Sequence, residues 1–347
     1  MQSASTHEEY MRRCLWLAEK GYGFVAPNPM VGAVIVHNGS IIGEGFHREY
    51  GKEHAEVMAL NSVQDKSLLA QSVLYVNLEP CSHHGKTPPC ADAVIASGIP
   101  KVVIGQTDPH DIVSGKGVAK LRAAGIEVIE NVLHNECRHL NRRFNYQCEK
   151  HLPYVVLKWA QSGDGLMDVN RFGEKGSYAI SGPESKRLVH LWRSQEMAIL
   201  VGTNTALTDD PQLTVREVSG KNPVRILIDR ELKVPRTARI YDDQAATIVF
   251  NARHTSVEDH LRFIQVPFDD EFLIHVLRQL ADLNIQSVLV EGGSITLGEF
   301  IRHDIWNEAR IITSSQFLGN GLKAPDWHKI PDTESRSGRD IIRTYFR

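Results

Sequence analysis

Two successive series of short apolar, strand-like runs, each interleaved with helical stretches, restrict this chain to folds in which helices pack on a sheet. The first series opens with a helix over about 6–20, introduced by a capping box of Thr6 with Glu9. Strands at 32–37 and 41–46 follow, joined by an Asn38-Gly39 hairpin turn. A helix from about His54, a buried strand at 72–78, a helix at 90–97, a strand at 101–105, a helix at 117–124 and a strand at 126–130 come next. A polar helix is predicted over 135–150. The second series places strands at 154–160, 197–201, 224–229, 247–251 and 287–291, with helices near 184–194, near 271–283 and from the glycines at 292–293 to Ile301. Pro153 stops the polar helix, so the domain boundary is expected near His151, giving domains at 1–150 and 151–347. A length of 347 residues agrees with two domains of roughly 150 residues or more.

The balance of charge narrows the function. With 39 basic and 42 acidic residues the net charge is −3, which excludes a general nucleic-acid-coating role while leaving room for a local phosphate pocket. No apolar run approaches the roughly 20 residues a bilayer crossing needs, and the N-terminal MQSASTHEEYMRR has no apolar signal core. A cytoplasmic protein with neither membrane nor nucleic-acid partner is therefore expected. The five cysteines are an odd number in such a chain, so metal binding or simple burial is expected rather than a disulfide framework. Cys14, Cys137 and Cys148 have no partner motif and read as buried or half-buried thiols.

The sharpest chemical signal is His54-Ala55-Glu56 with the segment P-C-S-H-H-G-K-T-P-P-C at 80–90. A catalytic zinc takes three protein ligands and keeps one position for water, and one imidazole with two thiolates supplies that set. Zinc deaminases carry H-x-E followed by P-C-x-x-C, with the Glu as proton carrier rather than ligand. His54, Glu56 and Cys81 fit, but eight residues separate Cys81 from Cys90 rather than two. Predicted helix starts near His54 and Cys90 favour thiolates electrostatically. Glu56 is placed to take a proton from a metal-activated water and pass it to a ring nitrogen and to leaving ammonia. A structural zinc site with other ligands is the alternative reading of the same residues.

The long cysteine spacing ending in T-P-P-C resembles the deaminase domain of the bifunctional riboflavin-biosynthesis deaminase–reductase family. A-P-N-P-M-V-G at 26–32 is similar to that family's P-N-P-x-V-G. The resemblance implies a cytidine-deaminase-like α/β/α domain, with zinc held by His54, Cys81 and Cys90, Glu56 as proton shuttle and Asn28 on the pyrimidine. Lys86 offers a point charge to a ribose phosphate, and His83 and His84 are either substrate contacts or solvated loop. Asp108-Pro109 matches the family's D-P-N-P turn, but His110-Asp111 departs from its N-P. Gly115-Lys116-Gly117 continues the pattern and is also an ordinary tight turn.

In the second half, V-L-V-E-G-G-S at 288–294 is a buried strand running into glycines and a helix, chemistry that admits a phosphate to backbone N–H groups. The half resembles the same family's reductase domain through K-W-A-Q-S-G-D-G at 158–165, A-I-L-V-G-T-N-T at 198–205, D-D-P-Q-L-T-V-R at 209–216 and E-G-G at 291–293. That resemblance implies a dihydrofolate-reductase-like α/β fold using NADPH. Ala160, Thr205, Asp209, Gly293, Ser294, Ile295, Thr296 and Leu297 would line the cofactor site, and Ser177, Arg193, Leu213, Arg216 and Glu291 would face the substrate. Arg193 and Arg216 make a clamp for a ribose 5-phosphate. Arg230, just past the strand ending at Asp229, is read as a partner for the 2′-phosphate of NADPH. Gly163 replaces the usual apolar residue of S-L-D-G, and 166–178 departs from the commonest family form; 162–177 reads as a functional or flexible loop.

The expected enzyme deaminates a phosphorylated diaminopyrimidine ribosylamine and then reduces its ribosyl chain to ribityl with NADPH. The family also implies a homo-oligomer acting on a small molecule. Two other readings stand beside it: a nucleoside or tRNA-base deaminase with an accessory domain, and a C-terminal half that only binds nucleotide or mediates assembly.

Overall fold

A computed structural model describes residues 4–82, 88–110, 114–171, 174–176 and 178–347. The chain divides into two compact units, Met1–His151 and Leu152–Arg347.

The first unit runs α1 (Ala4–Glu19), β1 (Gly32–His37), β2 (Ser40–Phe46), α2 (Ala55–Ser62), β3 (Val73–Leu78), α3 (Cys90–Ala96), β4 (Lys101–Gln106), α4 (Lys116–Ala123), β5 (Glu127–Ile129), α5 (His134–Leu140) and α6 (Arg142–Lys150). Its sheet has the order β2-β1-β3-β4-β5, antiparallel as far as β3 and parallel from there to β5. Asn38 and Gly39 both take left-handed φ values, 47° and 80°, as the hairpin between β1 and β2 requires. β1 is almost wholly apolar because both faces of the sheet are covered. Ala33, Ile35, Leu74, Val76 and Ile104 pack with α2, α3 and α4 on one side. Val34, Val36, Tyr75 and Val103 pack with Met11, Cys14 and Cys137 on the other.

Two local expectations change here. Thr6 lies inside α1, which is already helical at Ala4, so its pair with Glu9 does not open the helix. The polar helix expected over 135–150 is two helices that meet at Asn141. Asn141 is buried, and its side chain accepts from the Met30 N–H at 2.8 Å and donates to the Met30 carbonyl at 3.0 Å. A tertiary polar contact overrides the local preference for a continuous helix.

The second unit runs β6 (Tyr154–Gln161), β7 (Leu166–Val169), α7 (Pro183–Gln195), β8 (Ala198–Gly202), α8 (Thr203–Asp209), β9 (Val224–Ile228), β10 (Thr247–Asn251), β11 (Ser256–Glu258), β12 (Leu261–Gln265), α9 (Phe272–Asp282), β13 (Ser287–Val290), α10 (Ser294–Arg302), β14 (Glu308–Thr313), β15 (Gly321–Lys323), β16 (Thr333–Ser337) and β17 (Asp340–Phe346). The main sheet has the order β11-β12-β10-β9-β8-β13-β6-β14-β17-β16, parallel from β12 to β14. β8 and β13 are buried throughout, as strands of a parallel sheet must be when helices cover both faces. α9 shows the complementary pattern, burying Leu273, Val276, Leu277 and Leu280 at helical spacing. The loop expected over 162–177 contains a strand: β7 pairs with β15 in a separate two-stranded ribbon. Among the described residues no helix is long and apolar enough to cross a membrane.

Candidate functional site

In the first unit three elements converge on one point. His54 is the extended N-cap residue of α2, Cys90 is the first residue of α3, and Cys81 lies just beyond β3. His54 Nδ1 is 3.1 Å from Cys90 Sγ and 3.7 Å from Cys81 Sγ, and the three candidate ligand atoms all lie within 4.8 Å of one another. Zinc bonds of about 2.0–2.3 Å in a tetrahedron place ligand atoms roughly 3.5 Å apart, so this donor set fits a zinc ion. The Cys90 N–H donates to Cys81 Sγ at 3.3 Å. Hydrogen bonds from Cys90 and then His54 outweigh burial and drive the Cys81 thiol toward thiolate.

Glu56 sits in the first turn of α2 and is buried. Burial first, then the Cys81 charge, push its carboxyl up to about 7. Such a carboxyl both takes and returns a proton near neutral pH. The neighbouring Cys81 and His54 act on this carboxyl in opposite directions, Cys81 raising it and His54 lowering it.

Asn28 is held by a residue the sequence reading did not single out. The Glu53 carbonyl accepts from His47 Nδ1 at 3.0 Å, which leaves His47 Nε2 as the acceptor for the Asn28 amide N–H at 3.1 Å. Burial depresses the His47 pKa, favouring this neutral ring, and the ring stands edge-on to His54 with centroids 5.4 Å apart. Glu79 was also missed. Its two oxygens accept from the N–H groups of Asp108, Gly115, Gly117 and Val118 at 2.8–3.1 Å. One carboxylate thus ties the D-P turn and the G-K-G turn to the end of β3. A Cβ on Gly117 would lie 2.1 Å from the Pro80 carbonyl oxygen, which explains that glycine. Asp108 accepts from the His110 N–H at 2.8 Å, an Asx turn.

In the second unit the carboxyl ends of β6, β8, β9 and β13 open onto a cleft of about 880 Å³, the position where parallel sheets bind ligands. Ala160, Thr205, Asp209, Arg230, Gly293, Ser294, Ile295 and Thr296 line it, as do Lys158, His190, Arg193, Arg216 and Glu291. α10 begins here with no side-chain cap, so its N-terminal N–H groups face the cleft. A Cβ on Gly202 would lie 2.5 Å from Thr296 Oγ1, and one on Gly293 2.9 Å from Thr205 Oγ1, so both glycines let the start of α10 pack closely against the ends of β8 and α8. A cleft of this size, with an uncapped helix start, fits a phosphorylated dinucleotide. A smaller cavity of about 230 Å³ is lined by Gln212, Leu213, Arg216, Arg239 and Glu291 among others. Asp210 and Leu213 have φ of 42° and 57°, so the segment lining it is bent through two left-handed residues.

The charges of this cleft are largely paired. Glu291 is buried between Arg193 and Lys158, with Nζ of Lys158 3.5 Å away. Burial raises the Glu291 carboxyl, but Arg193 and then Lys158 outweigh it and hold it at about 2. His190 accepts from the Arg216 N–H at 3.1 Å, and burial with the flanking Arg193 and Arg216 lowers its pKa to about 4. Asp209 is pushed up to about 6 by burial, although Arg171 stands 4.0 Å from it.

Comparison with known proteins follows both halves of this geometry. Residues 4–106 match the cytidine and deoxycytidylate deaminase zinc-binding region, and residues 153–332 match the RibD C-terminal domain. The riboflavin biosynthesis protein RibD of Aquifex aeolicus is 42% identical over 324 residues, 92% of this chain and 90% of that one. The chain belongs to the RibD family.

Two solved RibD-family structures superpose on nearly its whole length. The diaminohydroxyphosphoribosylaminopyrimidine deaminase/5-amino-6-(5-phosphoribosylamino)uracil reductase from Thermotoga maritima gives a TM-score of 0.88 at 38% identity, covering 98% of both chains. RibD of Acinetobacter baumannii gives 0.87 at 29% identity, covering 99% of both. The first half is accordingly cytidine-deaminase-like and the second dihydrofolate-reductase-like.

Within this RibD-family frame, several expected site residues are placed differently. Lys86 and Ser177 lie outside the described residues, as do His83 and His84. Leu297 is fully buried in the core with Phe300 and Val290, so its side chain packs the sheet instead of lining the cleft. Arg193 gives its Nε and Nη2 to Glu291 and still lines both cavities. The Gly293 N–H donates to Thr205 Oγ1 at 2.8 Å, so the turn is braced by Thr205. Arg216 keeps polar partners, Thr214 Oγ1 at 2.6 Å and Gln212 Oε1 at 3.2 Å. Arg230 lines the rim, with its guanidinium 5.7 Å from the Phe268 ring centroid.

Proposed function

We propose that this chain is the bifunctional deaminase–reductase of riboflavin biosynthesis. It hydrolytically deaminates 2,5-diamino-6-ribosylamino-4(3H)-pyrimidinone 5′-phosphate and then reduces the ribosyl side chain to ribityl. The observation that carries the reading is the His54–Cys81–Cys90 cluster beside the buried Glu56, in a chain matching both halves of the family. Deamination is assigned to 1–150 and reduction to 151–347.

Bound in place, zinc held by His54, Cys81 and Cys90 supplies a water of lowered pKa, and NADPH in the larger cleft supplies the hydride. Glu56 carries two protons in turn, the first from the attacking water to the pyrimidine ring nitrogen and the second from the added hydroxyl to the departing amine. Asn28, aimed by His47, orients the pyrimidine. In the second half Arg216 takes the ribose phosphate from the small cavity, while Arg193 and Lys158 hold Glu291 toward the substrate. Asp209, its carboxyl pushed up to about 6 by burial, supplies a proton in the cleft. Ala160, Gly293, Ser294, Ile295 and Thr296, which line the cleft, would hold the cofactor, and Arg230 at its rim would meet the 2′-phosphate. Most of the protein's work is orientation and proton supply, since the hydride is the cofactor's. The reading extends to a cytoplasmic homo-oligomer whose partner is a small phosphorylated pyrimidine and no nucleic acid.

Mass spectrometry of the diaminopyrimidine ribosylamine phosphate with zinc-loaded protein tests it, without and then with NADPH. Replacement of NH₂ by OH adds about 1 Da and reduction adds about 2 Da more, the chemistry lying in water and cofactor. A first shift without the second would reduce the C-terminal half to a binding domain. Neither shift, with zinc bound, would assign the deaminase to another base.

A further inference from the structure

The segment that ends at Arg216 is held by a hydrogen-bond chain whose polarity is fixed from end to end. Arg225 on β9 is fully buried. Its Nη1 donates to Asp242 Oδ1 at 2.6 Å and its Nε to Thr247 Oγ1 at 2.9 Å, and backbone carbonyls of Arg239, Asp242 and Ala245 accept its remaining N–H groups. The other Asp242 oxygen, Oδ2, accepts from Gln212 Nε2 at 2.8 Å. Gln212 Oε1 accepts from Arg216 Nη1 at 3.2 Å.

A carboxylate at neutral pH only accepts, and a guanidinium only donates. Gln212 stands between one of each. It satisfies both only with its NH₂ toward Asp242 and its carbonyl toward Arg216, so Asp242 decides which end of Gln212 the arginine meets. The short helical turn Arg239–Tyr241, which leads into Asp242, grips the segment a second time, because the Arg239 N–H and Nε donate to Asp210 Oδ1 and to its carbonyl, each at 2.8 Å. Two left-handed residues, Asp210 and Leu213, lie in the gripped segment, so its shape needs outside support.

We infer that Asp242, anchored by the buried Arg225, is a positioning residue for reduction: through Gln212 it aims Arg216 at the anionic end of the substrate in the smaller cavity. The inference rests on the proposed role of Arg216 as the phosphate holder. Asp242→Asn inverts the chain with little change in volume. Its oxygen stays on Arg225, its new NH₂ faces Gln212, and the Gln212 amide must turn its own NH₂ against Arg216.

The test is steady-state kinetics of the full chain with the deaminated pyrimidine substrate and NADPH, for Asp242→Asn, Arg216→Ala and the double variant. Loss of one charge-assisted arrangement predicts a roughly tenfold higher KM for the pyrimidine in D242N. KM for NADPH stays unchanged, reporting that the second unit is folded, and the deaminase rate is unaffected. R216A raises KM for the pyrimidine at least as much, and the double variant is no worse than R216A alone, because the effect of Asp242 passes through Arg216. Multiplying effects in the double variant, or a parallel rise in KM for NADPH, would overturn the positioning role. An unchanged KM in R216A would overturn the phosphate assignment itself. Should D242N fail to fold, Gln212→Met breaks the same chain without disturbing the buried arginine. The cycle is then run on Q212M, where multiplication with R216A is again the overturning result.

Discussion

Arg193 and Glu291 meet as two parallel forks, Nε to Oε1 at 2.8 Å and Nη2 to Oε2 at 2.9 Å, at the mouth of the carboxyl edge of a parallel sheet. Glu291→Gln leaves Arg193 and Lys158 without their carboxylate. Breaking a buried pair from one side costs about 3–5 kcal/mol, and reduction is expected to fail while deamination continues. The acid dependence follows from the depressed pKa. Glu291 titrates near 4.5 when unfolded and near 2 when folded, so its stabilisation is complete above about pH 4.5 and disappears as pH falls toward 2. Thermal unfolding at stepped pH should show that loss in the native chain, and E291Q should lack it.

Glu56→Gln keeps the shape of the side chain and removes its proton exchange. Deamination should fall by roughly 10²–10⁴-fold, the usual contribution of a positioned acid–base group. Reduction of supplied deaminated intermediate should be unchanged. Equal loss of both activities would mean that the two sites do not act independently.

Cys81→Ser exchanges the thiol that bonds both His54 and Cys90 for a harder, poorer zinc ligand. Elemental analysis should show zinc falling well below one equivalent per chain. Full metal retention would remove Cys81 from the ligand set.

Glu79→Gln replaces two accepting oxygens by one oxygen and an NH₂ that confronts backbone donors. Leaving buried N–H groups unsatisfied costs about 1–3 kcal/mol. Hydrogen exchange at Gly117 and Val118 should accelerate, and deamination should weaken as the turn after β4 loosens. Unaltered exchange at both amides would show that the carboxylate does not hold this turn.

Local elements were legible where local chemistry specifies them. Asn38-Gly39 announced the hairpin because few other pairs accept two left-handed residues. The mostly apolar runs of β8 and β13 announced buried strands, and the structure makes them neighbours in a parallel sheet covered on both faces. The break at Asn141 was not legible, because its cause is the Met30 backbone, 111 residues away. β7 was hidden in a polar loop because its strand character comes from pairing with β15. His47 and Glu79 carry no motif of their own; a histidine at the end of a strand and an acid before the P-C were the only traces of them in sequence.

The sequence alone determined the chemical kind of this protein. Ligand types, an acid two residues past the histidine, and glycines after a buried strand are properties of residue identity and spacing, and they survive without coordinates. Only the tertiary structure decided which of those groups are still available. Arg193 is engaged by a carboxylate 98 residues on, the Gly293 N–H by Thr205, and Leu297 by the core. A donor's availability depends on what the fold brings against it, and that partner is remote in the chain. Arg216 and Arg193 read alike as arginines near a phosphate, and the difference between them lies in Glu291 for one and Gln212 for the other.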